Sequence, residues 1–186
     1  MAALILAKNF EVELITVTFG LLENWKQAKK AADKLGFPFN LIKLNKEIVE
    51  KAAKTVISDG YPARGIKYIH KKVLEEVAKR DFKIIADGIE REDHTALLSP
   101  LEIRHFEDEF GVYYLQPLRG YGRKTINFLA KQFFSFKEYK GESFPGAEYE
   151  FELREAIRKA YGIEKIKEIF PKYHTHSIII EVKVLK

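Results

Sequence analysis

The sequence predicts an α/β fold in which a mostly parallel sheet carries helices on both faces. Two observations point to this class. Short runs rich in β-branched and aromatic residues alternate with segments whose apolar residues recur at helical spacing. Parallel strands need long crossover connections, and segments of helical length lie between the strand-like runs. The composition is typical of a packed globular protein, since 46% of the 186 residues are hydrophobic and 32% are charged.

Four strand-like runs define the predicted sheet. They cover residues 12–19, 37–44, 82–89 and 112–118. Two helices between these runs are predicted from apolar stripes at helical spacing, and Gly36 marks the end of the first helix. The first stripe is Trp25, Ala28, Ala32 and Leu35, and the second is Ile66, Ile69, Val73, Leu74 and Val77.

The character of the sequence changes after Phe136. A stretch with two glycines and a proline precedes a predicted helix over about residues 149–160, and an apolar run over 177–185 ends the chain. About 50 residues rarely support a core of their own. We therefore predict an α/β domain over residues 1–136 and a C-terminal extension over 137–186 that packs on it.

Composition excludes several kinds of site. The chain has no cysteine, which excludes disulfides, thiolate nucleophiles and metal sites that need cysteine ligands. The apolar run AALILA is too short to span a bilayer and no basic segment precedes it, so we expect no membrane partner and a cytoplasmic location. The formal charge of +5 permits binding to RNA, although intermixed acidic residues are also typical of a solvated surface.

Parallel sheets bind ligands beyond the carboxyl ends of their strands, so the segments after Phe19, Leu44, Ile89 and Leu118 are candidate sites. The third strand leads into ADGIEREDH, in which Gly88 lets a ligand approach the backbone. Acid, base and metal-binding groups follow it at Glu90, Glu92, Asp93 and His94. The alternative is that these acidic residues cap the next helix.

Two other motifs each allow two interpretations, and a set of aromatic residues has one expected place. In PLRGYGRK, the side chains of Arg119, Arg123 and Lys124 are candidates to hold a phosphate. The alternative is a strand-to-helix turn in which Arg123 and Lys124 simply begin a helix. His174 and His176 form either part of a metal site or a surface or packed histidine pair. Trp25 and the run QFFSF have helical spacing and are expected in the core.

Together these segments resemble a known family. The run SDGYPARGIKYIHKKVLEEVAKRDFKIIADGIEREDH, followed by YYLQPLRGYGRKTINFLA, is similar to the middle of the PP-loop ATP pyrophosphatases, which have a Rossmann-like fold. This adenine nucleotide alpha-hydrolase-like group includes tRNA thiolation enzymes and asparagine-synthetase-type domains. The similarity is strongest to archaeal members of unassigned role and includes the C-terminal stretch. The matching positions are Gly88, Glu92, Asp93, Pro117, Leu118, Arg123 and Lys124.

The resemblance implies an activity and a set of site residues. Members of the family bind ATP with Mg²⁺, adenylate a substrate such as a tRNA base, a carboxylate or an amide, and release pyrophosphate. By resemblance, adenosine is bound by Thr18, Phe19, Gly20 and Gly88. Asp93 is then the candidate for magnesium or substrate contact, and Arg123 and Lys124 for phosphate contact, with Asp93 and Lys124 in catalytic roles. The implied partners are an adenine nucleotide and, as a further candidate, tRNA.

The sequence departs from the family at its defining motif. The Ser-Gly-Gly-x-Asp-Ser loop, whose amides hold the pyrophosphate, does not occur in these residues. MAALILAKNF resembles the helix that follows this loop, so the first strand and the phosphate loop are expected to be missing and catalytic competence is in question.

Loss of a central strand exposes the edges of its two neighbours. We expect the gap to be closed by direct pairing of those strands, by refolding of AALILAK as a strand, or by a second chain, which favours a homo-oligomer. Two alternatives to an ATP pyrophosphatase remain. They are a non-catalytic RNA- or protein-binding module and an inactive fragment that self-associates.

Overall fold

The computed structural model describes residues 1–140, 146, 148–170 and 175–183. In chain order the elements are α1 (Ala2–Leu6), β1 (Leu14–Thr18), α2 (Trp25–Leu35), β2 (Phe39–Lys43), α3 (Lys46–Asp59), α4 (Ala63–Ala78), β3 (Ile84–Ala86), α5 (Pro100–Phe110), β4 (Tyr113–Leu115), α6 (Arg123–Phe133), β5 (Phe134–Lys140), α7 (Tyr149–Tyr161), α8 (Ile163–Ile169) and β6 (Thr175–Val182). No helix within these ranges has the length and apolar composition needed to cross a membrane.

The predicted strands form two separate parallel pairs. β1 pairs with β2 from Leu14 opposite Phe39, and β3 pairs with β4 from Ile84 opposite Tyr113. The α/β class and the parallel pairing are confirmed. One continuous, Rossmann-like sheet is not seen, because each described parallel sheet has two strands.

Two of the expected ways to close a central gap are wrong. Residues Ala2–Leu6 form α1 instead of a strand, and their backbone hydrogen bonds are helical, as from the N–H of Ala7 to the carbonyl oxygen of Ala3. No strand of one parallel pair is hydrogen-bonded to a strand of the other within the described residues. Closure by a second chain stays a prediction.

Local sequence signals explain where several helices begin and end. Gly36 ends α2 in the left-handed conformation at φ +71°, as predicted, and its N–H bonds to the carbonyls of Ala32 and Asp33. Ser99 and Glu102 form a capping box at the start of α5, where Pro100 occupies the first turn. These caps fix the loops that connect the helices to the strands.

One core joins the parallel pairs to α3, α4 and α7. It includes Val17 and Ile42 from the first pair and Ile85 and Tyr114 from the second. α3 and α4 approach each other closely at Gly65, where a Cβ atom would lie 2.4 Å from Cγ2 of Val56. A side chain at that position would push the two helices apart.

The C-terminal region adds an antiparallel pair, β5 with β6, that lies beside α2. Lys34 of α2 donates from Nζ to the carbonyl oxygens of Ile179 and Ile180 at 2.7 and 3.0 Å. The boundary predicted between residues 136 and 137 falls inside β5. The division into a domain and an extension stays a prediction.

Two expectations about this region concern the run QFFSF and the histidines at 174 and 176, and the structure tests only the first. The run QFFSF does not stay helical, because α6 ends at Phe133 and β5 begins at Phe134, which is buried. Residue 174 and the side chain of residue 176 lie outside the described part of the chain, and so does the metal site considered for them.

Candidate functional site

An open groove of about 670 Å³ lies at the carboxyl ends of β1 and β2. Its volume is in the range of small-molecule sites. Its lining combines apolar, aromatic and charged groups: Thr18, Gly20, Leu21, Leu22, Glu23, Trp25, Leu41 and Lys43. Trp25 was expected in the core, but it is half-buried and lines this groove. Helical spacing predicts which residues share the inner face of α2, but it does not predict whether that face contacts the core or a groove.

The floor of the groove is the turn after β1, and the carboxylate of Glu152 holds it in place. Oε1 of Glu152 accepts from Thr18 Oγ1 at 3.0 Å and from the N–H groups of Leu21 and Leu22 at 2.8 and 3.0 Å. Oε2 accepts from the N–H of Phe19 at 2.6 Å. Glu152 is only 1% exposed, and these four donors compensate for the desolvation of its charge.

This arrangement bears on three predicted site residues. The N–H of Phe19 and the hydroxyl of Thr18 already donate to Glu152, and the N–H of Gly20 donates to Thr18 Oγ1 at 2.9 Å. These polar groups therefore stabilise the turn and already have partners inside the protein. Sequence reasoning missed Glu152, because it lies more than 130 residues from the turn.

Two lysines bring positive charge to the groove. A Cβ atom placed on Gly20 would lie 3.3 Å from Cε of Lys43 and 4.0 Å from Cε of Lys46. Gly20 has φ +74°, which favours glycine at this close approach. Neither lysine has an ion-pair partner in the part of the chain that is described. An anionic group in the groove would meet the ammonium group of Lys43, and Lys46 lies beside the same turn.

The second pair of strands carries the acidic and basic loops that the sequence singled out, and the structure brings them together. Arg123 donates from Nε to Oε1 of Glu90 at 2.6 Å, and its NH2 lies 3.9 Å from Oδ1 of Asp93. The N–H of Glu90 donates to Oδ2 of Asp93 at 2.9 Å. The backbone N–H of Arg123 also donates to Oε2 of Glu92 at 3.3 Å.

These contacts show which groups remain available to a ligand. The buried Glu90 pairs with Arg123, whereas the side chain of Asp93 is 38% exposed and lies 3.9 Å from Arg123 at its nearest oxygen. Lys124 is exposed at the start of α6, and nothing lies within 4 Å of a Cβ placed on Gly88. Among the described residues, no three acidic or histidine side chains form a ready metal site.

A buried polar network links β3 and β4 to α4 and α7. Tyr114 OH donates to Oδ2 of Asp87, and His70 Nε2 lies 3.2 Å from that oxygen. On its other side, His70 Nδ1 lies 3.3 Å from the hydroxyl of Tyr149. Gln116 donates from Nε2 to the Tyr114 hydroxyl at 3.1 Å.

The two tyrosines of this network are held neutral. Burial, followed by the charge of Asp87, raises the pKa of Tyr114 well above its usual range. Burial also raises the pKa of Tyr149, and the charge of Glu148 adds to the effect. The network was not predicted, although Asp87 at the end of a predicted strand was one available signal.

The predicted site residues thus fall into two groups. Thr18, Phe19 and Gly20 lie at the end of β1. Gly88 and Asp93 lie in the loop after β3, and Arg123 and Lys124 begin α6 after the loop that follows β4. No hydrogen bond or ion pair joins the two groups over the residues that the structure describes.

Residues 1–181 match the sequence model of a family of unknown function, DUF7411. The chain belongs to that family. It is 38% identical over 180 residues to the uncharacterized protein MJ0690 of Methanocaldococcus jannaschii, covering 96% of this chain and 88% of that protein.

A solved relative of this DUF7411 protein has the same fold. The crystal structure of a predicted subunit of tRNA methyltransferase from Methanocaldococcus jannaschii matches with a TM-score of 0.88 and 37% identity. The match covers 98% of this chain and 91% of that one. Neither relative is described as a PP-loop or nucleotide-binding protein, so the family shown is DUF7411 and the finer resemblance stays a proposal.

Proposed function

We propose that this protein binds an adenine nucleotide in the β1–β2 groove and takes part in tRNA modification as a protein of the PP-loop ATP pyrophosphatase type. The observation that carries the proposal is the composition of the groove. The lining offers an indole, leucine side chains and the unpaired Lys43, and the unpaired Lys46 lies beside the glycine turn. A nucleotide needs both kinds of surface, because its base is flat and largely apolar while its phosphates are anionic.

The lining suggests an orientation for the nucleotide. We assign contact with the base to Trp25 and Leu41, which line the groove. The N–H groups of the turn after β1 already donate to Glu152 and Thr18, so they are not available to the polar rim of the base. Lys43 and Lys46 then lie on the phosphate side. This assignment agrees with the resemblance, which gives Thr18, Phe19 and Gly20 to the adenosine.

The proposed chemistry is adenylation. A substrate oxygen attacks the α-phosphorus of ATP, the bond from that phosphorus to the bridging oxygen breaks, and pyrophosphate leaves. In such a reaction the protein mainly positions the phosphates and stabilises their charge. The resemblance gives phosphate contact to Lys124 and Arg123 and close backbone approach to Gly88, but these residues lie at the β3–β4 pair. We therefore assign the phosphates of a nucleotide bound in the groove to Lys43 and Lys46.

Asp93 is the proposed contact for Mg²⁺ or substrate. Mg²⁺ that is bound with ATP commonly uses only one or two carboxylates together with phosphate oxygens. Asp93 fits this limited role, because it is partly exposed and the half-exposed Glu92 lies in the same loop. The ion would neutralise phosphate charge when bound.

A role in tRNA modification is supported by the described function of the solved relative and by the net charge of +5. The alternative is an RNA-binding module without catalysis. It is favoured by one observation, which is that Glu152 and Glu90 already occupy donors that a nucleotide would otherwise use. Binding of tRNA without binding of a nucleotide would support that alternative.

Calorimetric titration with ATP, AMP and adenosine tests the proposal. We expect ATP to bind more tightly than adenosine, and Lys43→Gln with Lys46→Gln to remove most of that difference. The control is Lys30→Gln with Lys54→Gln, which changes the net charge equally at exposed positions outside the groove lining. If none of the three compounds binds, the nucleotide proposal is contradicted.

A further inference from the structure

One face of α6 presents an aromatic side chain between two lysines to solvent. Lys124, Phe128 and Lys131 are spaced by four and three residues, so they lie on one side of the helix. We call this set the α6 face. Phe128 is 64% exposed, and Tyr121, two residues before the helix, is 40% exposed. A large aromatic side chain held in water beside cations is a candidate contact for a partner.

The charge of α6 has one sign. The helix RKTINFLAKQF carries Arg123, Lys124 and Lys131 and no acidic residue. Lys124 and Lys131 have no ion-pair partner within the described ranges. In contrast, Lys165 and Lys167 of α8 both pair with glutamates three residues away. The charges of the α6 face are therefore free to meet an anion.

A third cation extends this surface at the far end of the helix. Lys183 donates from Nζ to the carbonyl oxygen of Lys131 at 2.5 Å. No residue of α6 is buried. The helix thus contributes little to the core, and its sequence is free to serve a surface role.

Aromatic side chains between cations suit unpaired RNA. A base released from its stack can lie on a phenylalanine ring, while lysines contact the phosphates on each side. The rise of an α-helix places Lys124 and Lys131 about 10 Å apart along the axis with Phe128 between them. A protein partner fits less well, because the core of a protein interface is depleted in lysine.

We propose that the α6 face binds a single-stranded segment of tRNA, with Phe128 stacked on an unpaired base and Lys124 and Lys131 on neighbouring phosphates. This inference rests on the tRNA part of the proposed function and not on nucleotide binding. It assigns a substrate-binding surface that is separate from the β1–β2 groove.

Fluorescence anisotropy with labelled tRNA and with a labelled single-stranded RNA tests the assignment. We expect Phe128→Ala to weaken binding of both RNAs about tenfold. The matched control is Leu101→Ala, which removes an apolar side chain that is 74% exposed on α5. Since both side chains are exposed, both variants should melt at the temperature of the unmodified protein.

The lysines are tested by salt dependence. Lys124→Gln with Lys131→Gln should lower the slope of log K against log salt for single-stranded RNA by about 1.4, because two phosphate contacts are lost. Lys30→Gln with Lys54→Gln is the control for net charge. The α6 assignment would be overturned if the control pair changed the slope equally, or if Phe128→Ala bound RNA with unchanged affinity. Either result would leave the proposal of tRNA binding in place.

Failure of the broader proposal gives a different result. If the unmodified protein binds neither RNA, both the tRNA role and the α6 assignment are wrong, whereas the nucleotide titrations remain independent. If Phe128→Ala instead abolishes self-association of a protein that binds no RNA, the α6 face is a protein interface.

Discussion

The carboxylate of Glu152 joins α7 to the turn after β1 and so forms the floor of the groove. It accepts three backbone N–H groups and one hydroxyl, and it is almost fully buried. A buried charge with this many donors fixes the conformation of the backbone that supplies them. The shape of the groove therefore depends on a residue from the C-terminal region.

Replacing this carboxylate tests its role. Glu152→Gln puts an amide NH₂ against N–H donors and leaves at least one of them unpaired, so the free energy of unfolding should fall by about 2–4 kcal/mol. Urea unfolding measures the change. Glu164→Gln, which breaks an exposed pair with Lys167, should change it by less than about 0.5 kcal/mol. Equal effects of the two substitutions would contradict the role of Glu152.

Tyr114 should make the stability of the folded protein fall as the pH rises in the alkaline range. Burial raises its pKa in the folded protein above the unfolded value of about 10. Its stabilising contribution is therefore complete below that pH and is lost as the pH rises above it. Tyr114→Phe should be about 1 kcal/mol less stable at pH 8, since the hydrogen bond to Asp87 is lost.

The comparison of urea midpoints between pH 8 and pH 11 measures this effect. The midpoint of the unmodified protein should fall more steeply above pH 10 than that of Tyr114→Phe. Tyr113→Phe is the control, because Tyr113 is exposed on the same strand. Parallel pH profiles for all three proteins would show that Tyr114 is not the group responsible.

At the scale of elements, α4 and α5 are joined through Glu102. Its carboxylate pairs with Lys67 at 2.8 Å and Lys71 at 2.7 Å, and it accepts from the N–H of Ser99. The hydrogen bond from Lys67 has the largest effect on the pKa of Glu102, and the one from Lys71 adds to it. Together they hold this pKa well below its usual range. One side chain thus caps α5 and ties it to α4.

The lowered pKa of Glu102 predicts that its contribution to the free energy of unfolding depends on pH in the acid range. The contribution is present above the unfolded pKa of about 4.3 and is lost as the pH falls toward the folded pKa. Glu102→Gln should lower the free energy of unfolding by about 1 kcal/mol at pH 7, and the difference should shrink below pH 4. Ser99→Ala, which removes the hydroxyl cap, should cost about 1 kcal/mol at both pH values. A Glu102→Gln effect that does not vary with pH would contradict this account.

At the scale of the whole molecule, the two parallel pairs leave every parallel strand with one unpaired edge in the described part of the chain. Unpaired edges favour pairing with another chain. We predict that the protein forms a homo-oligomer whose melting temperature rises with concentration. Light scattering after size-exclusion chromatography measures its mass. A monomer with a constant melting temperature over a hundredfold range of concentration would refute this prediction.

Local signals in the sequence predict much of the fold. β-branched and aromatic runs locate the four parallel strands, and a glycine after an apolar stripe locates the end of α2 at Gly36. The size of the sheets is not predictable in this way, because pairing between strands is a long-range property. The spacing that identifies a helix also cannot tell a core residue from a groove wall, as Trp25 illustrates.

The sequence predicts only part of the candidate site, because contacts between distant segments of the chain are a long-range property. The acidic and basic loops at Asp93 and Arg123 were identified because they follow strand ends that share one edge of a parallel pair. Glu152 and Tyr149 come from α7, and they reach the strand ends only through tertiary packing. No local pattern in the sequence places a residue of α7 beside β1.

Fluorescence of the single tryptophan tests the central claim most directly. Trp25 lines the groove and is the only indole in the chain, so a base bound there must change its emission. We predict saturable quenching by AMP and ATP, with tighter binding of ATP and loss of that preference in Lys43→Gln with Lys46→Gln. Emission that does not change up to millimolar ATP would contradict the claim that the β1–β2 groove binds an adenine nucleotide.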